Sequence, residues 1–357
     1  MALKESHLFQ SHLQVPNKLL TVSTQTQYNF GRFQKSAAKT RAAFCCKIQA
    51  STLSVTANIV TIFILSRGKC GLSKCITRYL VAMAVADLMI LILEVILYEI
   101  KDAYFPYTFL NYTPICSLNM ALLFISIDCS VWITVAFTFD RFIAICCQRL
   151  RAKYCTEKTA AVVIIVVFSL SCLQNVPIYF IYEPRELIDN VPWSCYVKSS
   201  FYTSPLWIAF LWLESLLIPF LPFIFILMLN CLTTRYILMA NRVRSVLRGN
   251  HSAGSNNDPE MNNRRKSIIL LLAISGNFIM LWMVIFIYFL IVQFADVQFF
   301  ETSYNDSFTI MEQTGYMLSC LSSCTNTFIY AVSQRKFREE LKNMTKHCLT
   351  PITRVIK

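Results

Sequence analysis

SIILLLAISGNFIMLWMVIFIYFLIVQFA, residues 267–295, runs for 29 residues without a charged side chain. A helix rises 1.5 Å per residue and about 20 apolar residues cross a bilayer, so this stretch is long enough to span one. Working outward, the runs 48–66, 159–182 and 313–334 are also uncharged. Three further runs hold only isolated acids: 79–98 contains Asp87 and Glu94, 103–139 contains Asp128, and 199–234 contains Glu214. That makes seven spans. With 55% hydrophobic and 15% charged residues and a mean hydropathy of +0.50, the chain is too apolar for a soluble domain of 357 residues. Seven glycines are too few for a barrel of many tight turns. The expected fold is an all-α membrane protein, a bundle over 44–333 with helices at about 44–66, 76–98, 113–147, 158–181, 203–235, 264–293 and 308–333. A short amphipathic helix is expected at 334–345.

The formal net charge of +13 suggests a nucleic-acid binder until its location is read. Segments 67–78, 149–158, 235–266 and 335–357 carry 22 of the 33 Lys and Arg, whereas the outer loops between them carry Lys101, Arg185 and Lys198. Basic loops stay in the cytoplasm, so the amino terminus is expected outside, the carboxyl terminus inside, and no nucleic acid as partner. The amino-terminal tail opposes this with Lys4, Lys18, Arg32, Lys35, Lys39 and Arg41 against Glu5, but four segments outweigh one long tail. Residues 1–43 read as a disordered extracellular tail, 249–263 as a disordered inner loop and 346–357 as a cytoplasmic tail. No apolar stretch of signal-peptide length precedes residue 43, so the first span is expected to direct insertion.

Sequons at Asn111 and Asn305 fall in outer loops and are glycosylation candidates. Of fifteen cysteines, Cys116 and Cys195 are the two placed clearly outside, where an oxidising compartment would join them. Cys146, Cys147 and Cys348 are palmitoylation candidates by position. Arg335, Lys336, Arg338 and Lys342 alternate with Phe337 and Leu341, as in a helix lying on the inner leaflet. The four histidines, His7, His12, His251 and His347, lie outside the apolar runs, so neither a metal cluster nor a histidine base is available within them and no enzyme is expected.

The third run ends in Asp140-Arg141-Phe142. In register with it stand Asn58, Ala84-Val85-Ala86-Asp87-Leu88, Cys116 one helix length before Arg141, and Pro222 with Asn230 eight residues later. Phe278-x-x-x-Trp282, Asn326-Thr327-Phe328-Ile329-Tyr330 and Phe337 complete the set. Over residues 44–345 this constellation resembles the rhodopsin-like (class A) G-protein-coupled receptors. With DRFIAICC at 140–147 it most resembles the orphan group of probable G-protein coupled receptor 139-like proteins.

The resemblance implies a multi-pass protein of the plasma membrane whose partners are an extracellular ligand, a heterotrimeric G protein and arrestin. It implies a G-protein switch at Asp140, Arg141, Phe142, Asn326 and Tyr330, and a connector at Phe278, Trp282, Pro222 and Asn230. It also implies a structural sodium ion among Asp87, Ser130, Ser322, Ser323 and Asn326, with no other cofactor. Departures are Thr327 for the helix-seven proline, Val284 for the proline after Trp282, and no tryptophan in the fourth run. Helix six is then expected to bend at Gly276 or to bend less. Arg264 stands where some receptors carry an acid that locks Arg141, so elevated basal activity is expected.

Leu123 occupies the position where amine receptors place an aspartate, and Cys320 the position of the opsin lysine; neither class is expected. Glu94, Asp128 and Glu214 lie in apolar runs without a basic partner, which marks ligand-site candidates. Neutral carboxyls are the alternative reading. With Leu123, Phe124, Trp282 and Glu312 they form the expected pocket, suited to a peptide or amino-acid-like ligand with a cationic group. The competing function is an ion or proton transporter or channel using the intramembrane acids, which the absence of an internal repeat weakens.

Overall fold

The computed structural model describes residues 39–100, 108–248, 259–294 and 307–355. Helix α1 spans Lys39–Ser66 and α2 spans Lys74–Leu91. Ser73 caps α2, its hydroxyl accepting from the Ile76 amide at 3.4 Å. The winding then widens into a π-helix over Ile92–Ile100. Helix α3, Thr113–Cys146, carries Pro114 in its first turn, where no amide donor is missed. A short helix, Gln148–Tyr154, leads to α4, Glu157–Phe180, whose amino end is capped by Thr156 accepting from the Thr159 amide at 3.1 Å.

Helix α5 runs as Pro205–Ser215, a π-helical turn Leu216–Phe220, and Leu221–Arg248. Prolines 219 and 222 have a physical part in that turn. Neither has an amide to donate to the ladder, so the winding opens there. Helix α6 is Pro259–Phe294, α7 is Ser307–Ser333 and α8 is Arg335–Val355.

The long helices close into a ring in which α1 packs on α2 and α7, α6 on α7 and α5, and α3 runs inside against α2, α4, α5 and α6. Helices α2 to α6 are long and apolar enough to cross a membrane, and α1 carries the apolar stretch Ser51–Ser66. Polarity is inverted relative to a protein in water. Leu53, Leu173, Leu206, Met280 and Val332 are 71% to 78% exposed, while Asn58, Asp87, Asp128, Asn175 and Asn326 are buried. Lipid matches such an outer surface, and water does not. The polar groups are then satisfied between helices: Asn58 Nδ2 donates to the Ser323 carbonyl at 3.0 Å, and the Thr61 and Thr327 hydroxyls bond at 2.8 Å. At Gly315 an added Cβ would lie 3.1 Å from Ile285, so α7 approaches α6 closely there.

The loop after α4 forms two antiparallel pairs: β1 (Tyr182–Glu183) with β4 (Tyr196–Val197), and β2 (Glu186–Ile188) with β3 (Val191–Trp193). Asp189 and Asn190 turn the inner hairpin with φ of 52° and 61°, a conformation these residue types tolerate best among side-chain-bearing residues. A disulfide joins Cys195 to Cys116, and the Thr113 hydroxyl donates to the Ser194 carbonyl at 2.6 Å, pinning the loop to α3.

Several expectations are corrected. Helices α5 and α6 continue past their apolar runs to Arg248 and from Pro259, and α8 continues to Val355 instead of ending at 345. Charge marks where a chain leaves lipid, but charged residues keep a backbone ladder intact. Residues 259–263 are therefore helical instead of loop, and α6 passes through Gly276 without a break in the helix. Residues 1–38 and 249–258 lie outside the described residues.

Candidate functional site

At the end of the bundle away from the disulfide, Asp140 and Arg141 form an ion pair, each side chain only 6% exposed. Helix α3 presents them there because the run 103–139 continues into polar sequence without a helix breaker. The pair is walled in by thiols: Cys75 Sγ of α2 donates to Asp140 Oδ1 at 3.2 Å, and Cys155 Sγ donates to the Asp140 carbonyl at 3.5 Å. Burial, reinforced by the Asp140 charge, pushes the Cys155 thiol up to about 11, so it stays a neutral donor. Phe142, the next residue, is half-buried. Tyr330 of α7 is buried nearby, its ring edge-on to Phe337 of α8 with centroids 6.1 Å apart.

Deeper in the bundle, Asp87 collects donors from two helices. Ser130 Oγ of α3 donates to Oδ1 at 2.7 Å and Asn326 Nδ2 of α7 donates to Oδ2 at 2.8 Å. Ser323 is a third side chain within hydrogen-bonding reach of the carboxyl. Ser322 is buried beside it, but the hydrogen bonds to Asp87 come from the other three.

Phe278 and Trp282 stack on α6 with centroids 5.2 Å apart. Phe278 packs with Val131 and Val135 of α3 and Ile226 of α5, while Trp282 also reaches Ile285, Tyr288 and Met311. Pro222 is buried, and Asn230 accepts from Ser275 Oγ at 3.0 Å, tying α5 to α6.

Each of the intramembrane acids meets a different hydrogen-bond partner. Glu94, in the π-helical part of α2, accepts from Cys320 Sγ of α7 at 2.8 Å. Asp128 faces α4, where Asn175 Nδ2 donates to its Oδ2 at 2.6 Å, and Glu214 of α5 accepts from Gln174 Nε2 at 3.0 Å. The reason is angular. Residues 128 and 130 are about 200° apart around a helix, so if Ser130 meets Asp87, Asp128 must look the other way. Leu123 lies in an apolar cluster with Ile90 and Leu93, and Phe124 packs against another formed by Ala121, Ile178 and Phe201.

Gln174, Asn175, Cys75, Cys155 and Cys320 were not singled out as partners by sequence reasoning. Amides and thiols in apolar runs carry no spacing that names the group they meet. Asn111, a glycosylation candidate, is 5% exposed, and its backbone carbonyl accepts from the Ser194 amide. Cys146 and Cys147 are half-buried. Asn305 and the side chains of Glu312, Cys348 and Arg264 lie outside the described residues.

Residues 57–330 match the family described as 7 transmembrane receptor (rhodopsin family). The chain belongs to that family. Among similar proteins, cysteinyl leukotriene receptor 1 of Sus scrofa is 24% identical over 288 residues, which cover 78% of this chain and 77% of that receptor. The FMRFamide receptor of Drosophila melanogaster is 27% identical over 208 residues, 55% of this chain and 37% of the relative. Neuromedin U receptor homolog nmur-2 of Caenorhabditis elegans is 31% identical over 138 residues, 38% of this chain and 33% of the relative. The rhodopsin-family chain is thus a receptor for an extracellular ligand and not an enzyme.

Proposed function

We propose that this receptor couples to heterotrimeric G proteins, with its amino terminus and the disulfide end outside the plasma membrane and the Asp140–Arg141 end in the cytoplasm. The buried Asp140–Arg141 pair is the observation that carries the reading. A guanidinium held dry against a neighbouring carboxylate is costly to desolvate and strongly held once paired, so it changes partner only when the helices around it separate. A G protein that accepts Arg141 would then bind the opened state and shift the population toward it. Arrestin would use the same opened face.

The path from the ligand runs through two layers. Trp282 and Phe278 link α6 to α3, α5 and α7, and beneath them Asp87 ties α2 to α3 and α7. Asp87, Ser130, Ser323 and Asn326 are hard oxygen and amide groups that suit a sodium ion, which would supply positive charge to the buried carboxylate and hold the three helices together.

For the ligand we propose a peptide or amino-acid-like molecule with a cationic group bound at Glu94. That carboxyl is half-buried and meets a thiol, a weaker donor than the amides that hold Asp128 and Glu214, so it retains more capacity for an incoming cation. A relative named for FMRFamide, whose spelling includes an arginine, supports this class. The DRFIAICC segment supports membership of the orphan 139-like group.

The test is full-length receptor in transfected cells, with nucleotide-exchange sensors for each G-protein class and a panel of basic peptides and amino acids. Wild type should raise one sensor, and Arg141→Ala at equal surface density should abolish the signal. An undiminished signal from Arg141→Ala would overturn the switch.

A further inference from the structure

Asp128 sits two residues before Ser130 on α3, a rise of about 3 Å, so it lies at nearly the depth of the Asp87 centre but on the opposite side of the helix. Asp128 and Asn175 are 1% and 0% exposed. Asn175 Nδ2 donates both to Asp128 Oδ2 and to the Ser171 carbonyl, at 2.6 and 2.9 Å. One residue earlier on α4, Gln174 holds Glu214 of α5, which stands near enough for its charge to act on Asp128.

The two acid centres differ in one respect. Both oxygens of Asp87 receive hydrogen bonds, whereas Asp128 Oδ1 receives none and neither does Asn175 Oδ1, although both atoms are buried. Two buried acceptors on groups already in contact are costly unless something positive lies between or beside them. No basic side chain is available, because runs 103–139, 159–182 and 199–234 contain no Lys, Arg or His. The other titratable groups around the seam are Glu214 of α5, Cys129 of α3 and Cys172 of α4. Among the described residues no group of three or more His, Cys, Asp or Glu is arranged to hold a metal ion, which disfavours a transition metal. Oxygen acceptors suit a small hard cation.

We propose that Asp128, Asn175 and Glu214 form a second internal cation site across the α3–α4–α5 seam, separate from the Asp87 centre, filled by a sodium ion. An occupant bridges three helices and therefore stabilises their packed arrangement by mass action. The site also gives α4 a polar tie to the bundle at a depth where its outer face is apolar.

The experiment uses the full-length receptor, purified into lipid nanodiscs and carrying Asp87→Asn to silence the first centre. Its thermal unfolding midpoint is followed in rising sodium chloride, with choline chloride holding ionic strength constant. A midpoint that climbs with sodium supports the site. Adding Asp128→Asn should remove that response, and Asn175→Ala and Glu214→Gln should each weaken it, so the test survives failure of one variant to fold. A midpoint indifferent to sodium, or a response that all three substitutions leave unchanged, would overturn the proposal.

Discussion

Arg141 and Asp140 touch each other in a place with little water, and that sets what a single substitution does there. Removing one member of a buried pair costs about 3 to 5 kcal/mol because the other charge is stranded. In Asp140→Asn we expect the protein to relieve that cost by letting Arg141 leave its pocket, the movement we propose that a G protein reads. We expect ligand-independent signalling above wild type at matched surface density, together with a lower thermal midpoint, measured by nucleotide exchange and by unfolding in detergent. Basal signalling of the unmodified receptor should also exceed a vector control, since Arg264 cannot lock Arg141; placing glutamate there should lower it. At this scale the sequence was readable where a residue type is itself unusual. An aspartate in an apolar run announces itself, as Asp87 and Asp128 do, but its partner does not. Asn175 and Gln174 look like ordinary tolerated polar residues of a fourth span, and only tertiary packing shows that each holds an acid.

Within the helices, Thr327 makes a prediction that depends on backbone geometry. Proline at this position would remove the amide that donates to the Ser323 carbonyl, ordinarily a loss of about 3 kcal/mol in a helix interior. That carbonyl already accepts from Asn58 Nδ2 at 3.0 Å, so it would not be orphaned. Thr327→Pro should therefore reach the cell surface with a midpoint only a few degrees lower, reflecting the lost Thr61 hydroxyl bond and a local kink. Combined with Asn58→Leu, the loss should exceed the sum of the single losses, a non-additivity read from a double-mutant cycle of unfolding midpoints. The seven spans were legible because apolar length is a strong signal, whereas their ends were not, since α5 and α6 keep their ladders through Arg242 and Arg265. The π-helical stretch Ile92–Ile100 contains neither proline nor glycine, and so left no mark in the sequence. In α5 the prolines at 219 and 222 did leave one.

For the molecule as a whole, the Cys116–Cys195 bridge closes a loop of sequence separation 79 and fixes the hairpin loop to α3. Chain entropy assigns about 4 kcal/mol to a loop of that order, an upper bound here because spans still inserted in lipid are already confined. Cys195→Ser should lower surface expression and the unfolding midpoint while leaving Arg141-dependent basal signalling detectable, as measured by flow cytometry of a tagged receptor alongside exchange assays. The bundle's ring order could not be read from one sequence, because the motifs place residues along each helix and say nothing of which helix lies beside which. Gly315 shows what that arrangement does mechanically. Helices α6 and α7 approach closely there, so under the proposed opening a rod held at that point would turn about it and sweep furthest at its far tip. A methyl group at 315 would wedge the fulcrum, changing the amplitude of the swing without touching either mouth of the receptor.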